Sequence, residues 1–290
     1  MPAPLARHLL VATALFAAAA VHAETPRAAI VGSGKPARTD DTVKLADHHA
    51  IYNLTLLKAV GAKSPTAARG RVSYAFDGSA CAGYSQSFRQ ITELQPAEGA
   101  TRLSDLRSAT FEDADGKSFS FDVKTSVDRA APDVVDGHAE HEGGDLLQIK
   151  LSRPAEQALD VDQQVLFPTA HLKRIIAAAR AGQHMLSVKV FDGSDTGKKV
   201  YDTTAIIGHP LSGPTEDAGA ARVVAMDAMT RWPVVISYYE DGHKDKEPAY
   251  TLGFELYENG VSRALRFDYG DFVLAGQMVS LDMLPEKPCR

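Results

Sequence analysis

The side chains best suited to chemistry gather in the run His138-Ala139-Glu140-His141-Glu142. Imidazoles and carboxylates packed this densely are groups that a divalent metal accepts. The spacing is not the HExxH of a zinc-binding helix. Asp136-Gly137 before the run and Gly143-Gly144 after it read as turns. A metal site needs fixed geometry and partners behind its ligands, so the run reads as a solvated turn. Asp47-His48-His49 has no further ligand nearby and reads as the polar edge of a first strand. Gly78-Ser79-Ala80 and Gly193-Ser194-Asp195 place serines after Asp-Gly pairs, which is turn chemistry. No G-x-S-x-G nucleophile elbow occurs. Val31-Gly32-Ser33-Gly34-Lys35 lacks the spacing of a phosphate loop and reads as linker. Asp and Glu are abundant, but their positions do not say which two meet as an acid–base pair. The sequence therefore assigns no catalytic, cofactor-binding or metal-binding residue, and no cofactor.

The elements that would position such groups are mostly strands. Val72, Tyr74 and Phe76 alternate with polar or small neighbours; Phe119, Phe121 and Val123 do the same, as do Leu252, Phe254 and Leu256. A half-buried strand has this pattern because successive side chains point to opposite faces. Asp77-Gly78, Asp115-Gly116, Asp136-Gly137, Asp192-Gly193, Asp241-Gly242 and Asn259-Gly260 read as hairpin turns between the runs. Many short strands joined this way predict an antiparallel sheet, curved or closed to protect its edges. One helix is predicted after Pro168-Thr169. Leu172, Ile175, Ile176 and Ala179 form its apolar stripe, and Gly182 stops it. Such a helix covers an open sheet face or plugs a barrel end. The Pro/Gly/Asp-rich stretch from Ser212 to Gly219 reads as a surface loop.

The termini bear on the compartment. Arg7, the uncharged run Leu9 to Ala20, and Val21-His22-Ala23 follow the order of a secretory signal peptide. The apolar run is too short to span a bilayer. The expected division is a signal peptide over 1–23, a flexible arm over 24–43 and a single domain over 44–290. A net charge of −6 without a basic stripe argues against nucleic acid as a partner. A monomer without a membrane span is expected in the mature form. Cys81 and Cys289 are the only cysteines. An even count in an exported chain points to a disulfide, two free thiols being the alternative. A bridge across so long a loop contributes on the order of 5 kcal/mol in the chain-entropy treatment.

Several segments together carry a resemblance. They are Asp47-His48-His49-Ala50-Ile51-Tyr52-Asn53-Leu54, Gly78-Ser79-Ala80-Cys81-Ala82-Gly83-Tyr84, Leu166-Phe167-Pro168-Thr169-Ala170-His171, Phe191-Asp192-Gly193-Ser194-Asp195, Trp232-Pro233-Val234, Tyr257-Glu258-Asn259-Gly260-Val261 and Asp268-Tyr269-Gly270-Asp271-Phe272-Val273-Leu274. With the terminal Cys289, these segments resemble the EipB-like family of alphaproteobacterial periplasmic proteins, named for cell-envelope integrity. The resemblance runs from about residue 45 to the end. It implies one long antiparallel sheet curled into a spiral or incomplete barrel with packed helices, and a Cys81–Cys289 disulfide. It also implies periplasmic location and no established enzymatic activity or cofactor. A periplasmic tetratricopeptide-repeat protein or an envelope lipid is the implied kind of partner.

Three functional readings remain at this level: a non-enzymatic envelope factor that binds another component, a carrier of lipid or lipoprotein, and a hydrolase of envelope polymer. A continuous Phe/Leu/Val lining would favour the carrier, and a cleft with paired carboxylates the hydrolase. A filled core with exposed aromatics would favour a protein-binding scaffold.

Overall fold

A computed structural model describes residues 43–62, 64–143, 145–217, 219–240, 247–287 and 289. The expected signal peptide and all of the arm except Val43 lie outside the described residues, as does Asp241-Gly242. Val43 is buried against the helix and its sheet.

Among the described residues, fifteen strands form one sheet that does not close. The first eight form an antiparallel meander: β1 (His48–Ala59), β2 (Ala67–Ser79), β3 (Gly83–Gln95), β4 (Arg102–Glu112), β5 (Ser118–Val127), β6 (Asp133–Gly143), β7 (Leu146–Arg153) and β8 (Gln157–Asp162). A two-residue strand, β9 (Val165–Leu166), leads into helix α1 (Pro168–Arg180). A second meander follows: β10 (Met185–Val190), β11 (Tyr201–Ile207), β12 (Arg231–Glu240), β13 (Tyr250–Tyr257), β14 (Ser262–Asp268) and β15 (Phe272–Met283). The two meanders join where β1 pairs antiparallel with β15, so the free edges are β8 and β9. No helix among the described residues is long and apolar enough to cross a membrane.

The alternation read from the sequence sets the faces. Val72 and Phe76 are buried on β2, and Phe119, Phe121 and Val123 on β5. Phe119 and Phe121 pack with Phe167 and Phe191, which precede α1 and follow β10. This core cluster brings β5–β7 over the start of the second meander without a ladder pair. Gly193 and Gly197 make the approach close. A Cβ on Gly193 would lie 2.4 Å from Cγ of Phe121, and one on Gly197 would lie 2.6 Å from Val135. Both residues also have positive φ, +69° and +70°, where a side chain is strained.

Two predicted turn pairs hold their place. Asp115-Gly116 links β4 to β5, with Oδ1 of Asp113 accepting from the Lys117 and Ser118 N–H groups. Asn259-Gly260 links β13 to β14. Asp136-Gly137 is no turn, for it lies within β6. Gly137 is there because a Cβ would come within 2.7 Å of both the Lys150 carbonyl and the Phe121 ring.

Helix α1 buries Ile175, Ile176, Ala178 and Ala179 on the face of β11–β13, against Ala205, Trp232, Val234 and Leu256. It ends as expected, with Gly182 at φ +70° and the Gln183 N–H returned to the Ala178 carbonyl. The Ser212–Gly219 loop is tied to the same sheet. Arg263 binds Asp217 at 2.5 Å and Glu255 at 2.7 Å, and Arg231 donates to the Gly213 carbonyl.

Candidate functional site

The curl of the sheet leaves a cavity of about 420 Å³ between the two meanders. Residues from β2–β5 form one wall; residues from β11, β13 and the end of β14 form the other. Pro168 and the loop residues Asp192, Ser194 and Asp195 lie at its side. Six aromatic rings face it: Tyr74, Phe88, Tyr201, Tyr250, Phe267 and Tyr269. Between them are the amides of Gln86 and Gln90 and the hydroxyls of Ser108, Thr110 and Thr251. Polar groups interrupt the Phe/Leu/Val lining, and the core is not filled. Volumes of this size, with many apolar groups and a few fixed polar ones, are typical of small-molecule sites.

The polar groups of the N-terminal wall are held in place. The Tyr74 hydroxyl donates to Oε1 of Gln86 at 3.1 Å, and Nε2 of Gln86 donates to the Thr169 hydroxyl at 3.1 Å. Nε2 of Gln90 donates to the Thr92 hydroxyl at 3.1 Å. Burial raises the Tyr74 hydroxyl's pKa far enough to keep it protonated. Across the cavity Tyr201, Tyr238 and Tyr250 form a cluster. Tyr238 stacks on Tyr250 with centroids 4.3 Å apart, and Tyr201 meets both edge-on. Burial raises all three hydroxyls, and the Asp192 carboxylate adds to the effect.

The first turn of α1 stands beside this cavity. Phe167 at its N-cap offers no side-chain oxygen, so the exposed N–H groups need another acceptor. Glu112 at the end of β4 supplies it: Oε2 accepts from Thr169 N–H at 2.7 Å and Oε1 from Ala170 N–H at 2.9 Å. Burial pushes this carboxyl up to about 7, against the pull of those two bonds and of Lys173. The Lys173 ammonium sits 4.3 Å above the Tyr84 ring. His171, also buried, is lowered to about 4 by desolvation and stays neutral near pH 7.

The sequence candidates lie elsewhere. His138 to Glu142 belong to β6 rather than to a turn. His138 and His141 are three residues apart in a strand and so face opposite sides. Nδ1 of His138 lies 3.1 Å from the Ser120 hydroxyl on an open strand face, and its Nε2 lies 4.0 Å from Oε2 of Glu140. The His141 ring packs 4.9 Å from Phe167. The two imidazoles therefore cannot share an ion. No metal-binding cluster of His, Cys, Asp and Glu occurs among the described residues. His48 is buried beside Tyr74 and Phe76, with Nδ1 on the Ala46 carbonyl; desolvation lowers its pKa. Asp47 is structural too, accepting the Gly78 N–H at 2.9 Å. Phe121 and Leu256 sit in filled core rather than on the cavity wall.

Cys81, at the tip of the β2–β3 hairpin, is bonded to Cys289 beyond β15, with Cα atoms 5.6 Å apart. Lys287 reinforces the link with an ion pair to Asp77 at 2.7 Å.

The curled sheet, the helix after Leu166-Phe167-Pro168 and the Cys81–Cys289 bridge coincide with a family pattern. A model of the EipB-like family matches residues 39–285. The chain belongs to the EipB-like family. The cell envelope integrity protein EipB of Brucella abortus (strain 2308) is 38% identical over 253 residues, covering 87% of this chain and 89% of that protein. The crystal structure of a β-barrel-like protein from Brucella abortus, of a domain of unknown function, superposes with a TM-score of 0.78 at 38% identity. It covers 84% of this chain and 100% of that one.

Sequence reasoning missed the cavity of this EipB-like chain, although β3 held a signal. Tyr84, Gln86, Phe88, Gln90 and Thr92 share one face of that strand. Gln90 and Thr92 are buried, where a filled core would carry apolar residues. Glutamines spaced by two on an inward face mark a lining that meets something polar. Asp192, Tyr201 and Tyr250 left no such mark, because they are far apart in the chain.

Proposed function

We propose that this protein is exported to the periplasm and maintains the cell envelope without catalysis, by holding an envelope component inside the curled sheet. The observation that carries this reading is the cavity of about 420 Å³, bordered by three well-packed clusters and lined by rings and fixed polar groups. The name of the Brucella abortus relative supports the envelope role. The disulfide supports an oxidising compartment.

A second reading, docking of an envelope protein, draws on the outer face of the sheet. Met185, Ile206 and Val235 stand side by side across β10, β11 and β12, and are 63%, 51% and 44% exposed. Neighbouring apolar groups in water favour a partner surface.

The test is complementation of a deletion strain. The strain should become sensitive to detergents and to cell-wall-directed antibiotics, with central metabolism unaffected. Wild type should restore resistance. Ser108→Phe, which fills the cavity, should fold and fail to restore it. Ile206→Glu should fail only if docking is the essential act. A deletion strain as resistant as its parent removes the envelope reading.

A further inference from the structure

The charge of the cavity lining narrows what can enter. Its ionisable side chains besides tyrosine are Asp192, Asp195 and Asp268; among the described residues no Lys, Arg or His lines it. Two of these carboxylates are already paired. Asp195 binds the Lys199 ammonium at 2.8 Å, and Asp268 binds the Arg266 guanidinium at 3.4 Å. Asp192 has no cationic partner among the described residues; Oδ1 accepts the Ser194 N–H at 3.0 Å. It is half-buried and lies between Phe191, which is wholly buried, and Gly193, which is pressed on Phe121. Across from it stand Tyr201 and Tyr250, backed by Tyr238.

A carboxylate with no counter-charge beside several aromatic faces is complementary to an organic cation. The ring faces attract the positive charge, and the carboxylate neutralises it. Anionic groups meet the opposite: no donor of positive charge and three carboxyls. Burial and the neighbouring Asp195 hold the Asp192 carboxyl above its usual range, and a bound cation would reverse that.

Resting on the reading that the cavity holds an envelope component, we propose that the occupant presents an ammonium group to Asp192, Tyr201 and Tyr250, with its apolar body along Phe88, Leu106 and Phe267. The chemical class is an alkyl-bearing primary or quaternary amine. The cavity rejects free fatty acids and phosphate esters that lack a compensating cation.

The experiment compares three probes of one chain length, decyltrimethylammonium, decyl glucoside and decanoate. Each is titrated below its micellar concentration into the mature protein and into Asp192→Asn by isothermal titration calorimetry. The ammonium should bind one to one, about tenfold or more tighter than the glucoside, and decanoate should not saturate. Asp192→Asn, checked by near-UV circular dichroism, should lower ammonium affinity to that of the glucoside and leave the glucoside unchanged. Choline, which lacks the chain, separates the sources: its saturable binding supports a soluble amine, and binding of the alkylated form alone supports a lipid headgroup. Should the variant not fold, the ranking of the three probes on wild type decides. A glucoside or decanoate that binds as tightly as the ammonium overturns the cation inference and leaves the cavity reading standing. No saturable binding by any probe removes both.

Discussion

Where β1 meets β15, eleven residue pairs are matched in an antiparallel ladder, and the Cys81–Cys289 bond and the Lys287–Asp77 pair fasten the same end. Where β5–β7 meet the segment from Val165 to Val200, no ladder pair crosses, and the join is made of phenylalanine rings against glycines. The first seam rests on backbone bonds that any residue but proline can make. The second rests on volume and shape, which a single methyl group changes. One curled sheet is thus held together by two kinds of physics, and the cavity lies between them. The difference teaches that the seam without hydrogen bonds is the more sensitive to sequence.

Removing the bridge should have the largest effect. Cys81→Ser frees a loop of sequence separation 208. Its cost in the chain-entropy treatment is at most about 5 kcal/mol, through the unfolded state. Denaturant unfolding should show it, and limited proteolysis should cut first beyond Met283. A variant as stable as wild type would assign the first seam to the ladder alone.

At the second seam, Phe119→Ala should cost about 3–5 kcal/mol, because the ring is fully buried among three others. Gly193→Ala should cost about 3 kcal/mol from overpacking and positive φ together, and Phe121→Leu in the same chain should restore part of it. A loss below about 1 kcal/mol for Gly193→Ala would show that the seam yields.

How legible the fold and the cavity are in the sequence depends on the kind of information. Alternation alone writes Phe119, Phe121 and Val123 onto one face, and Asp115-Gly116 and Asn259-Gly260 mark true turns. Asp136-Gly137 uses the same two letters for another purpose, since a glycine needed for close approach and one needed for a turn look alike in sequence. The bare N-terminus of α1 is visible in Phe167-Pro168, but its acceptor, Glu112, lies on a strand 57 residues away. The second seam is likewise hidden, because it joins parts distant in the chain.

Glu112 offers a finer test beside that seam. Its carboxyl titrates near 7 when folded and near 4.5 in the reference state. Between these values the folded chain holds a proton the unfolded chain has lost. The stability this gives is complete below about pH 4.5 and lost as pH rises through 7, in total about 3 kcal/mol or less. Glu112→Gln should flatten that part of the profile, and it should expose the opposite trend of His171, which loses stability as pH falls from 6.5 to about 4. Parallel stability–pH curves for wild type and variant would contradict the burial argument. The smallest effect is expected for His138→Ala on the open face of β6: within about 0.5 kcal/mol, with no change in bound metal. Stoichiometric zinc lost with that histidine would revive the metal reading.

The central claim is that the space between the two seams holds a molecule. Native mass spectrometry of the protein isolated from its own periplasm tests it most directly. The account predicts one small adduct per chain, absent from Ser108→Phe. A wild-type chain at the bare mass of the mature polypeptide, with the same spectrum as Ser108→Phe, would contradict it.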